Sequence, residues 1–148
     1  MKILVTYQSK TGFTKKYAKW ISEKLKSDLI DIKNIIDIDT NDYDLIIHGG
    51  WIMGDMITGL DKVRLFKPKK LIVFGVGYTP KEVVDINQIK ETNKLEDTPL
   101  FYFQGGTNPK KMGFFFKMIF KMVTKEKLVY KDKTNKEDID DLINIVKK

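Results

Sequence analysis

The chain has 148 residues, with 27 Lys and Arg against 20 Asp and Glu, one His and no Cys, for a formal charge of +7. Its length suits a single domain over residues 1–148, and a hydrophobic content of 42% argues for a packed core rather than a disordered chain. The absence of cysteine excludes disulfides, thiol catalysis and cysteine-ligated clusters, and His48 alone builds no zinc site. Ile3 to Tyr7 reads as an apolar strand, and Thr14 to Lys26 as an amphipathic helix with Ala18, Ile21 and Leu25 on one face. Leu29 to Ile32 is a short second strand suited to a sheet edge, and Leu45 to Gly49 a third, followed by a loop from Gly50 to Met56. Leu71 to Gly75 is the fourth, ending in Val76-Gly77-Tyr78-Thr79-Pro80. Between Thr79 and Thr98, the spacing of Val83, Val84, Ile86, Ile89 and Leu95 suggests a helix. Leu100 to Gln104 begins a fifth strand, which Gly105 to Lys127 interrupts and which is expected to resume at Leu128-Val129-Tyr130; Asn135 to Lys147 is a final helix. Strands alternating with helical patterns predict an α/β fold, a parallel sheet with helices on both faces. Met1 to Val5 is too short for a secretory signal and no apolar run approaches about 18 residues, so a cytoplasmic location is expected.

The segment between the first strand and first helix carries the chemistry. The opening N–H groups of a helix lack internal partners and sit at its positive end, which makes them an anion site. Here Ser9, Lys10, Thr11, Gly12, Phe13 and Thr14 surround that point, with three hydroxyls and a glycine that allows close approach. The spacing is neither that of a Gly-Lys-Ser/Thr phosphate loop nor that of the G-x-G-x-x-G dinucleotide turn. In an open parallel sheet, ligands bind beyond the carboxyl ends of the strands, where the strand order reverses. The ends of the third and fourth strands there supply Gly50, Trp51, Ile52 and Gly54, and Gly77 and Tyr78. Trp51 and Tyr78 are placed to bracket a flat ring between aromatic faces.

Tyr7, Ser9, Gly12, Thr14, Ala18 and Ile21 reproduce the ordered signature of the flavodoxins, which this segment resembles. Thr6 departs from the pattern, since an apolar strand residue is usual in its place. The resemblance implies a five-stranded parallel sheet of order 2-1-3-4-5, with an insertion in the fifth strand as in long-chain members. It implies FMN as cofactor, with its phosphate in the Ser9–Thr14 loop without metal or fixed cation, and its ring beside Trp51 and Tyr78. It also implies a glycine-containing peptide, among Gly49, Gly50 and Gly54, that reorients when the flavin is reduced. Acidic residues near the ring are few, Asp55 and the more distant Asp61, so the final reduction step is expected at a less negative potential than in an acidic flavodoxin.

The stretch Pro109 to Val123 places Lys110, Lys117 and Lys121 on one side of a helix, with Phe and Met around the rest. Such a helix suits an anionic membrane surface, a partner groove, or its own sheet. Gln104-Gly105-Gly106, the run Phe116 to Met122, Leu128-Val129-Tyr130 and an acidic final helix start resemble the menaquinone-dependent protoporphyrinogen oxidase family. The expected function is therefore an FMN-binding redox protein passing electrons to partner proteins or to quinone, with a membrane-associated protoporphyrinogen oxidase as the alternative. Peripheral contact at the inner membrane face is expected through Pro109 to Val123. No acid, base or metal-ligand set stands out. Phosphoacceptor receiver domains need acidic residues where Tyr7-Gln8-Ser9 and His48-Gly49 stand, and nucleic-acid binding rests on charge alone, so neither is expected.

Overall fold

Six strands follow in chain order through the centre of the molecule: β1 (Ile3–Gln8), β2 (Asp28–Asp31), β3 (Leu45–Met53), β4 (Met56–Ile57), β5 (Leu71–Gly77) and β6 (Leu100–Gln104). The structure, a computed structural model, describes residues 1–148. Strand order is β2-β1-β3-β5-β6, every neighbouring pair parallel, and β4 only adds antiparallel to the end of β3. With that two-residue strand set aside, the order is the expected 2-1-3-4-5.

Alternation along the strands sorts the core into two layers. Ile3, Val5 and Tyr7 of β1, Leu45 and Ile47 of β3, Ile72, Phe74 and Val76 of β5, and Phe103 of β6 face helices α1 (Phe13–Leu25) and α5 (Asp140–Lys147). These helices return Phe13, Tyr17, Ala18, Ile21, Leu142, Ile143 and Val146 to the same cluster. On the opposite face, Leu4 and Ile46 pack on Ile32, Ile35, Tyr43 and Val63. Beside them, Val73 and Tyr102 pack on Ile57, Leu60, Ile89 and Leu95. Val63 and Leu60 belong to α2 (Leu60–Leu65) and Ile89 to α3 (Ile86–Thr92). Each fully buried aliphatic or aromatic side chain contributes about 1.5–3 kcal/mol, so both layers are needed to hold the sheet.

Several boundaries differ from those read in the sequence. The third strand does not stop at Gly49: β3 runs on through Gly50, Trp51 and Ile52 to Met53. Gly54 and Asp55, at φ +55° and +67°, then make a two-residue turn into β4. A turn with both central residues at positive φ matches strand twist, so the expected loop is a hairpin. Buried Asn93 fixes it, accepting from Ile57 N–H at 2.9 Å and donating to the Asp55 and Ile89 carbonyls at 2.7 and 2.8 Å. α3 begins only at Ile86, capped by Asp85, and Val83 is exposed. The final helix opens as a tighter turn over Lys136–Ile139 before α5.

The excursion after β6 leaves where expected but does not rejoin the sheet. Leu128 to Tyr130 form no strand; the chain returns as β8 (Lys131–Asp132), antiparallel to β7 (Gly106–Thr107), in a separate ribbon. The reason is close approach: a Cβ on Gly106 would lie 1.9 Å from the Lys131 carbonyl oxygen, so only glycine permits this pairing. Within the excursion, α4 (Phe114–Thr124) buries none of its residues.

Candidate functional site

Between β1 and α1 the backbone turns through Gly12, at φ +100°, a conformation that costs glycine nothing. The Gly12 N–H donates to Ser9 Oγ at 3.1 Å, which closes the loop on itself. No side chain caps α1, and its first turn holds no acid. The helix's first internal bond runs from the Lys16 N–H to the Gly12 carbonyl, so the N–H groups of Phe13, Thr14 and Lys15 have no acceptor in the protein. Thr14 is only 2% exposed, and its hydroxyl, which is not fully shut off from solvent, makes no hydrogen bond to the protein. That hydroxyl lies on the wall of a crevice, where it is free to bind a ligand.

Thr14 faces a crevice of about 170 Å³ at the carboxyl ends of β1, β3 and β5. Lys10, Thr11 and Phe13 share its loop wall; Trp51 and Ile52 come from β3; Val76, Gly77 and Tyr78 come from the end of β5. Gly105, Gly106 and Thr107 close one side, and Met112, Phe116 and Phe120 close the top. Phe116 meets Trp51 edge to face at 5.8 Å between centroids, and Phe120 meets Tyr78 likewise at 5.1 Å. Lys10 lays its ammonium 3.8 Å from the Phe116 ring centroid and 5.8 Å from that of Trp51, clasping the cover to the loop.

The rim beside Tyr78 carries a polar triad. Its phenol donates to the Glu126 carboxylate, and Lys131 Nζ lies 3.4 Å from the phenol oxygen and 3.3 Å from the carboxylate. The bond to Glu126 pushes the Tyr78 phenol up, and the bonds from Tyr78 and Lys131 hold the Glu126 carboxyl below the usual range. Its bonds to Tyr78 and Glu126 raise the Lys131 ammonium.

His48 stands apart from this crevice. It is fully buried within β3, level with Thr6 of β1, and Thr6 Oγ1 lies 2.9 Å from its Nδ1. Its Nε2 lies 2.9 Å from the Thr58 carbonyl, which only accepts; Nε2 therefore carries the proton and Nδ1 accepts from Thr6. Burial lowers the imidazole to about 4, with the Thr58 bond a smaller opposing effect, so His48 is neutral. Thr6, the departure from the flavodoxin pattern, is the partner this histidine requires.

Of the residues singled out in the sequence, Lys10, Thr11, Phe13, Thr14, Trp51, Ile52, Gly77 and Tyr78 line the crevice. Ser9 and Gly12 shape the loop beneath it. Gly50 does not reach it, being packed against the Thr58 carbonyl, and Gly54 sits at the exposed hairpin tip with no atom near its Cβ position. The sequence reading missed Val76, Gly105, Gly106, Thr107, Met112, Phe116 and Phe120. Gly105-Gly106-Thr107 shows the same glycine-rich strand-end pattern as the other walls and was legible on that ground. A larger hollow, about 900 Å³, lies at the amino ends of the strands among Arg64, Lys70, Lys94 and Pro99; it holds no aromatic and no glycine-rich loop.

A family model described as a flavodoxin domain matches residues 4–135. The chain belongs to the flavodoxin family. An archaeal flavodoxin superposes with a TM-score of 0.50 at 18% identity, over 75% of this chain and 88% of its own. A candidate flavoprotein from Bacteroides eggerthii gives a TM-score of 0.54 at 16% identity, over 99% of this chain and 98% of its own. These two share the flavodoxin fold. A Lactobacillus acidophilus flavoprotein in complex with FMN aligns at 19% identity over 70% of this chain and 91% of its own, with a TM-score of 0.49. No curated protein matches the chain.

Proposed function

We propose that this flavodoxin-family chain binds FMN and passes electrons through it. When bound, FMN supplies one- and two-electron redox chemistry that no side chain here provides. The observation that carries the reading is the loop wall: three unpaired N–H groups and the Thr14 hydroxyl, free of protein partners, facing Trp51 and Tyr78 across the crevice. Those donors fit a phosphate, with Thr11 at the same wall. Trp51 and Tyr78 offer aromatic faces to a flat ring, while Phe116 and Phe120 keep water from the space between them. The crevice of about 170 Å³ is below the roughly 300–1,000 Å³ usual for cofactor sites, so this reading requires Phe116 and Phe120 of α4 to give way to the ring. A purified sample that is yellow and releases FMN on denaturation supports the reading. A colourless sample that takes up no added FMN overturns it.

The surface of α4 favours a finer reading. Phe114, Phe115, Met122 and Val123 are 81%, 63%, 72% and 76% exposed, the reverse of a helix that only covers its own sheet. No helix is long and apolar enough to cross a membrane. An apolar outer face with Lys110, Lys121, Lys125 and Lys127 around it suits contact with an anionic bilayer. There the electrons pass to quinone, and a protoporphyrinogen is the donor to test; partner redox proteins are the alternative to quinone. Sedimentation with phosphatidylglycerol vesicles, lost in Phe114→Ser/Phe115→Ser, tests the membrane contact. Quinone-dependent turnover of protoporphyrinogen tests the chemistry, and none from FMN-loaded protein leaves the carrier reading.

A further inference from the structure

The loop Ser9–Thr14 is reached by a cation from outside its own segment. Lys111, at the end of the short turn Pro109–Lys111, carries its ammonium to 3.8 Å from the Cβ position at Gly12, the residue that caps α1. Of the lysines around this loop, Lys10 lies over Phe116, Lys16 pairs with Asp132 at 2.7 Å, and Lys15 belongs to the first turn of α1 itself. Lys111 has no carboxylate within ion-pair distance. Next to it in sequence, Met112 lines the crevice, so the Pro109–Lys111 turn is held over the same opening. An unpaired ammonium therefore stands beside the loop that presents three unpaired N–H groups and the Thr14 hydroxyl.

We infer that Lys111 is a phosphate-binding residue, supplying the excursion's own charge to the anion held by the α1 N-terminus. The inference rests on the proposed FMN reading and deepens it: the phosphate end of the ligand meets a fixed cation, where the family pattern alone called for none. The ammonium adds a charge-assisted hydrogen bond to the neutral donors of the loop. Its effect is confined to the phosphate, because the aromatic walls that receive the ring are on β3, β5 and α4.

The test compares FMN with riboflavin, which lacks the phosphate, by flavin fluorescence titration of the full-length apoprotein at low and at high salt. Lys111→Gln weakens FMN roughly tenfold at low salt, less at high salt, and leaves riboflavin unchanged. Lys111→Arg retains FMN affinity, and inorganic phosphate competes with FMN more weakly in Lys111→Gln than in the wild type. Lys111 is exposed, so the substitutions leave the fold intact. Equal losses for FMN and riboflavin, or no loss for either, overturn the inference while the FMN reading stands. A wild-type protein that binds riboflavin and FMN alike overturns phosphate recognition by this loop altogether. If it binds neither, the FMN reading itself fails, and the inference with it.

Discussion

Acidification should destabilise this protein through one residue. His48 is buried and neutral, with its imidazole lowered to about 4, against about 6.5 in an unfolded chain. Above pH 6.5 neither state binds the proton, so the contribution of the neutral histidine to stability is fully present. As pH falls from 6.5 towards 4, the unfolded chain takes up a proton that the native state refuses, and stability declines; below 4 both states are protonated and the loss is complete. At about 1.4 kcal/mol per pH unit, the drop to about 4 corresponds to roughly 3 kcal/mol. Urea unfolding followed by circular dichroism from pH 7.5 to 4 measures it, with His48→Gln as the reference that lacks the titrating group. The wild type should lose roughly 3 kcal/mol more than the variant over this range. Parallel pH profiles for the two proteins would refute the reasoning, because carboxylates titrate in both.

Thr6→Val leaves Nδ1 of His48 without its donor and should cost about 1–3 kcal/mol at pH 7.5 by the same assay. Asn93→Ala strips the β3–β4 hairpin of its two bonds to the buried amide, and Ile89 of a third, and should cost at least about 2 kcal/mol; a loss below about 0.5 would show that the hairpin holds itself. In flavin titrations, Thr14→Val should weaken FMN by about fivefold and Thr14→Ser should not, as the loss of one neutral hydrogen bond predicts. Phe116→Ala removes the edge-to-face partner of Trp51 and the ring beneath Lys10, so stopped-flow FMN association should accelerate; an unchanged rate would mean that α4 does not cover the entry. Spectroelectrochemistry should place full reduction of the flavin at a less negative potential than in an acidic flavodoxin, since Lys10 borders the site and Glu126 is paired to Lys131.

The sheet was legible because its central strands β1, β3 and β5 are largely apolar runs, buried on both faces, that contrast with the helical patterns around them. The phosphate loop was legible for a local reason: a strand, a glycine and a helix start lie within a few residues of one another. What escaped the sequence reading depends on chain segments distant in sequence. Gly50 and Trp51 look like a loop until Asn93, some forty residues on, supplies the bonds that extend β3 into a hairpin. Lipid, a partner or the protein's own core were all open for Phe114 to Phe120; α4 turns Phe116 and Phe120 inward and Phe114, Phe115, Met122 and Val123 outward. Helical periodicity gives the relative angle of those residues but not the direction in which the helix faces. α2 was missed because six residues are too few for periodicity to emerge.

Tyr17 gives the excursion an unexpected independence. Its single phenol oxygen donates to the Gln104 carbonyl at 2.6 Å and accepts from the Asn135 N–H at 3.1 Å, so the chain leaves and re-enters the domain at one rivet. Burial pushes that phenol up to about 12, which keeps the rivet protonated at any physiological pH. Because the exit and the return are fastened to the same atom, the intervening residues behave as an interchangeable cassette. Shortening or replacing that cassette alters what stands over the crevice and leaves the register of the five parallel strands untouched. Changes to the cover of the crevice are thereby separated from changes to the scaffold beneath it.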